Sequence, residues 1–128
     1  MQNRYLTQLI KQLKIVVPKN MKKNRLAVLN EYYTDEPDDP FNVYALALEY
    51  LKSDTQKAKG LFEELLTKHP NYVATYYHAA ALYVDLGEIM NAEKTYQKGI
   101  KIAFDQQKTK AYDELKRAYQ TFLDEEEF

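Results

Sequence analysis

The sequence predicts an all-α protein made of antiparallel helix-turn-helix repeats. Three observations support this: the chain matches itself at a fixed shift, its apolar residues recur at helical spacing, and small and large side chains occupy matching places. Shifted by 34, Ala58 falls on Ala92, Phe62 on Tyr96, Leu65 on Gly99 and Leu66 on Ile100. Shifted by 33, Val43 falls on Tyr76, Leu46 on Ala79, Ala47 on Ala80 and Tyr50 on Tyr83. The one-residue difference is a shorter turn at Lys52 to Asp54. Tyr76, Ala79, Ala80 and Tyr83 are spaced i, i+3, i+4, i+7, as are Val43, Leu46, Ala47 and Tyr50, so each unit reads as a pair of helices.

Composition limits the alternatives. The chain has 128 residues, 45% apolar and 29% charged, which suits one globular domain with a real core. It contains no cysteine, which excludes disulfides, thiolate chemistry and cysteine-based zinc sites and leads to a cytoplasmic expectation. The longest N-terminal apolar run, Ile15-Val16-Val17, is too short for a signal-peptide core or a bilayer span.

In chain order, residues 1–20 form a basic amphipathic extension with Leu6, Leu9, Ile10 and Leu13 on one stripe, closed by Pro18-Lys19-Asn20. Met21 could itself be a start. Residues 1–30 carry seven Lys/Arg and no acid, leaving 11 basic and 19 acidic residues after them. Residues 21–128 read as a single domain. Its first helix, 22–34, places Leu26, Leu29 and Tyr33 on one face, stops before the turn-rich DEPDDP, and reads as half of a degenerate repeat.

Repeat 1, residues 39–70, opens on Asp39 as N-cap with Pro40 at the first helical position, and Ser53 with Gln56 reads as a capping box for its second helix. Repeat 2, residues 71–104, starts at Asn71 after Pro70, and Gly87 sits where a left-handed residue closes one helix. Gly60 inside a helix costs about 1 kcal/mol relative to alanine. A last helix, 108–124, carries Tyr112, Leu115, Tyr119 and Phe122 on one stripe, with Asp113, Lys116, Arg117 and Gln120 opposite, as suits a one-sided cap. The closing DEEEF reads as a frayed acidic tail.

Tyr76, Ala79-Ala80, Tyr83, Gly87, Ala92, Tyr96 and Gly99, with Val43, Leu46-Ala47, Tyr50, Ala58, Phe62 and Pro70 before them, resemble the tetratricopeptide repeat family. That family's 34-residue unit carries an aromatic, a Leu-Gly pair, then Tyr, Ala, Phe and Pro at fixed offsets. The stretch DPFNVYALALEYLK is similar to the opening of small bacterial members, and the likeness covers about residues 39–104. It implies a short right-handed α-solenoid of about two units with flanking capping helices. Small residues such as Ala80, Ala92 and Gly99 then admit close helix approach, while Tyr76, Tyr83 and Tyr96 fill the space beside them. Phe104 stands where the family pattern has proline, so the last repeat helix is expected to end less sharply.

Little in the sequence supports catalysis. His69 and His78 have no metal-ligand spacing, so no metal site is expected. Adjacent carboxylates such as Glu63-Glu64 and Asp113-Glu114 diverge on a helix and read as a solvated face. Gly60, Gly87 and Gly99 are dispersed and form no phosphate loop. The reading is a non-catalytic protein without cofactor.

In the resembling family the first helices of successive repeats line a concave groove. Carried onto this chain, the groove positions are Phe41, Tyr44, Leu48 and Leu51, then Ala74, Tyr77, Ala81 and Val84, with His78 as a polar contact. Relatives that grip a C-terminal carboxylate use lysine, asparagine and arginine, but Tyr44, Leu48 and His78 stand here, which argues against such a clamp. An apolar, tyrosine-bearing groove suits a peptide or amphipathic helix from a partner protein. The same residues could instead be buried by the capping helices. The basic extension suggests two other uses: contact with anionic membrane or nucleic acid, which its Asn and Gln content weakens, or docking of segment 1–17 into its own or a neighbour's groove, giving autoinhibition or a homodimer.

Overall fold

The computed structural model describes residues 22–126, with side chains from Arg25 onward. The amphipathic segment 1–17, the Pro18-Lys19-Asn20 break and Met21 lie outside the described residues, as do residues 127 and 128. The described residues form six α-helices and no strand: α1 Lys22–Asp35, α2 Pro40–Tyr50, α3 Thr55–Lys68, α4 Ala74–Asp85, α5 Ile89–Asp105 and α6 Thr109–Glu126. Consecutive helices pack against one another, and α6 also reaches back to α4, the pattern of a helical-repeat solenoid.

Local chemistry explains most helix ends. Asp39 caps α2, its carboxylate accepting the backbone N–H of Phe41 at 2.9 Å with Pro40 at the first position. The cap of α3 is Asp54, which accepts from Lys57 N–H at 3.1 Å, and not Ser53 as the capping-box reading held. Ser53 lies inside the preceding turn, where its own N–H bonds Tyr50 O at 3.0 Å. Asn71 does not start α4 either. The chain first turns through Pro70–Val73, the bonds Thr75 N–H to Tyr72 O and Tyr76 N–H to Val73 O lead into the helix, and no side chain caps it.

Helices α4 and α5 end alike. Gly87 has φ 77°, with Glu88 N–H bonded to Tyr83 O at 2.8 Å and Gly87 N–H to Val84 O at 3.0 Å. Gln107 has φ 59°, with Lys108 N–H bonded to Ala103 O at 2.9 Å and Gln107 N–H to Phe104 O at 3.0 Å. Both are Schellman closures. The end of α5 is therefore sharp despite Phe104, because a left-handed residue satisfies the last carbonyls without proline. At the C-terminus α6 continues through Asp124, Glu125 and Glu126, which corrects the reading of DEEEF as a frayed tail from its first residue.

The two cores meet at α4. Val43, Ala47, Ala58, Phe62 and Leu65 of repeat 1 pack with Ala79 and Leu82 of α4. Tyr76, Ala80 and Tyr83 of the same helix pack with Ala92, Tyr96, Ala103, Leu115 and Phe122. Gly99 is the tightest point: a Cβ there would lie 2.5 Å from Tyr76 Cβ and 2.9 Å from its Cγ. The Tyr76 ring is fully buried against that glycine, and its hydroxyl donates to Pro70 O at 2.6 Å.

Tyrosine hydroxyls also link separate helices. Tyr33 donates to Glu64 at 2.8 Å, Tyr83 to Glu63 at 2.7 Å and Tyr119 to Glu93 at 3.1 Å. Glu63 and Glu64 do diverge, but they are half-buried acceptors serving helices on opposite sides, not a solvated face. Burial, and then the bond to Glu63, push the Tyr83 hydroxyl well above the usual tyrosine range, so it stays a donor.

Candidate peptide-binding face

One face of the array is built from α2, α4 and α6. Rings from α2, α4 and the turn before α4 meet there: Tyr44 and Tyr72 at 5.8 Å, Tyr44 and His78 at 5.9 Å, and Tyr77 and His78 at 5.4 Å between centroids. These are edge or tilted contacts, the geometry that ring quadrupoles favour. Burial lowers the His78 pKa from its ordinary value, so its imidazole is neutral at physiological pH, and burial raises the Tyr44 and Tyr72 hydroxyls. An uncharged aromatic floor results.

Three hollows run along this face, all touching Tyr77. The first, about 370 Å³, is lined by Tyr44, Val73, Ala74, Tyr77 and His78 on one side and Ala111, Glu114 and Leu115 on the other. The second, about 310 Å³, lies between Tyr77 and Glu114, Arg117, Ala118 and Thr121. The third, about 270 Å³, continues past Ala81, Val84 and Asp85 to Phe122 and Glu125. A larger hollow of about 610 Å³ lies elsewhere, under the α5–α6 turn beside exposed Phe104 and Tyr112.

The groove positions carried over from the sequence separate into two groups. Tyr44, Ala74, Tyr77, His78, Ala81 and Val84 line the three hollows, with Tyr77 43% exposed. Leu48 and Leu51 line none of them and pack against the repeat 1 core. Phe41 is 46% exposed but stands apart from the hollows. Val84 also packs against the second core, so it belongs partly to each.

Sequence reasoning missed Tyr72, Val73 and the α6 wall of Glu114, Arg117, Ala118 and Thr121. It had assigned α6 one buried stripe and one solvent face, whereas these residues form the edge between them. Their signal was the small residues Ala111 and Ala118 flanking the Leu115 stripe, which leave room beside Tyr77.

No protein-family model matches the chain, and no curated protein matches it. Solved structures do. The chain is similar to a tetratricopeptide repeat domain protein from Salinibacter ruber whose solution NMR structure is 44% identical, with a TM-score of 0.64, over 67% of this chain and 88% of that one. A crystal structure, also of a tetratricopeptide repeat domain protein from Salinibacter ruber, is 44% identical with a TM-score of 0.63, over 66% of this chain and 94% of that one.

Proposed function

The chain belongs to the tetratricopeptide repeat family, and from that premise we propose that it is a non-catalytic interaction module whose α2–α4–α6 face holds an amphipathic segment of a partner protein. The observation that carries this reading is Tyr77: an exposed aromatic on a packed helix, common to all three hollows and backed by His78 and Tyr44. Such a ring supplies contact area at low entropic cost, with a hydroxyl to orient the ligand. Half-buried alanines at 74 and 81 leave depressions on either side for aliphatic side chains.

The rim selects among partners. Asp85, Glu114 and Glu125 stand beside these hollows against the single guanidinium of Arg117, so the face suits a segment carrying lysine or arginine and disfavours phosphate-rich surfaces. No group of three or more potential metal ligands occurs among the described residues, and no described helix is long and apolar enough to cross a membrane.

Replacing Tyr77 by alanine tests the reading, with Tyr44→Ala added as a second step. Binding of fluorescent amphipathic helical peptides of basic, neutral and acidic type should fall at least tenfold in the single variant, with helicity by circular dichroism unchanged. Unchanged binding, or a preference for acidic peptides, would move the interaction surface elsewhere.

A further inference from the structure

Two tyrosines of the chain carry one of its own lysines: Lys57 Nζ stands 5.3 Å from the centre of the Tyr50 ring, and Lys116 Nζ 5.3 Å from that of Tyr112. Among the described residues, Tyr44, Tyr72 and Tyr77 carry none. The ring planes of Tyr44 and His78 meet at 57°, those of Tyr77 and His78 at 76° and those of Tyr44 and Tyr72 at 66°, so these rings stand as walls to one another and not as a stack. Half-buried Ala74 and Ala111 leave the space between the walls open.

The hollow of about 370 Å³ that Tyr44, Tyr77 and His78 share has Glu114 as its only charged residue among the described residues. Glu114 is exposed and makes no hydrogen bond or ion pair with another described residue. Arg117, about one turn farther along α6, lines the second hollow and not the first. Burial keeps the His78 imidazole neutral, so no positive charge in the lining opposes a cation.

On the reading of this face as a partner surface, on which it rests, we propose that the first hollow is an arginine pocket, in which a guanidinium from the partner lies against the rings of Tyr44, Tyr77 and His78 and meets the Glu114 carboxylate. A guanidinium is planar and weakly hydrated, stacks on aromatic rings, and offers a carboxylate two parallel N–H donors. A lysine ammonium holds its water more tightly and fits such walls less well. Because Arg117 stands at the neighbouring hollow, a second cation is disfavoured there, and the preferred segment carries one arginine beside apolar residues in place of a basic run.

N-Acetylarginine methylamide, titrated into the full chain and followed by NMR, tests the pocket without any choice of peptide. It should shift the ring signals of Tyr44, Tyr77 and His78 saturably. The citrulline analogue, nearly equal in shape but uncharged, should shift none of them, and the lysine analogue should bind at least about threefold more weakly. Glu114→Gln should weaken the arginine probe at least about fivefold, whereas Asp113→Asn, the same loss of charge one residue away on α6, should leave it unchanged. An equal response to citrulline, unchanged binding in Glu114→Gln, or shifts confined to rings outside the hollow such as Tyr112 overturns the pocket. If peptide binding is still lost in Tyr77→Ala, such a failure removes the pocket alone; if peptides are also indifferent to Tyr77→Ala, the partner face goes with it.

Discussion

Repeat 1 and repeat 2 fill one equivalent slot from opposite sides. In repeat 1 the pair is Val43 and Leu65, both fully buried aliphatics. In repeat 2 it is Tyr76 and Gly99, where the ring occupies the volume the glycine leaves empty, at a separation too short for any Cβ. The difference shows that a helical repeat conserves the filled volume of a slot and not the residue at either wall. It also shows why single-position likeness is a weak guide to which side chains can be exchanged.

The largest effect comes from placing the repeat 1 residue into repeat 2. Gly99→Leu should cost about 3 kcal/mol, since backbone or ring must shift. Adding Tyr76→Val should recover at least about 1 kcal/mol of that loss, a coupling readable by denaturant titration. Independent, additive effects at the two sites would mean that they do not share one slot.

The helix ends give a medium-sized contrast. Gly87 and Gln107 hold the same left-handed conformation, but only one of them lacks a Cβ. Gln107→Gly should stabilise the chain by about 1 kcal/mol, and Gly87→Gln should destabilise it by a similar amount. Gly60 contrasts with Gly99 in another way. Nothing lies within 4 Å of the Cβ it would gain, so Gly60→Ala should stabilise by up to about 1 kcal/mol through helix propensity alone.

The smallest effect is electrostatic. His78 has its pKa lowered by burial, so well above the ordinary value of 6.5 it is neutral in both folded and unfolded chains and contributes no pH dependence. Below that, the unfolded chain takes up a proton that the folded one resists, and stability falls as pH drops. His78→Phe should flatten the part of a Tm-against-pH curve that falls as pH drops through the ordinary histidine value of 6.5, judged against the parent chain. A parent curve rising on acidification would contradict the neutral aromatic floor.

Much of this was legible in the sequence. The 33- and 34-residue shifts, the spacing of Tyr76, Ala79, Ala80 and Tyr83, and the Asp39-Pro40 start carry through, because they depend on periodicity and on chemistry within one helical turn. The errors fall where two local solutions compete. Ser53 and Asp54 are both good caps, and the bond from Ser53 N–H to Tyr50 O, a property of the turn, selects the second. Gln107 carries no sequence mark of a left-handed residue, and it takes that conformation because the end of α5 must turn back into α6.

The face lined by Tyr77 illustrates the remaining division. Tyr44, Tyr77, Ala74 and Ala81 were reached through the family resemblance, which implies that first-helix positions line the groove, whereas Tyr72 and Ala118 were missed. Tyr44, Leu48 and Leu51 all pack against the repeat 1 core, but Tyr44 alone of the three also lines a hollow facing α6, and finding that required knowing where α6 lies. So did finding Glu114 and Arg117 opposite Tyr77. Periodicity states which residues share a helix face. Which neighbour that face meets follows from the stacking of helices distant in sequence, held by contacts such as Tyr76 on Gly99 and Tyr119 on Glu93.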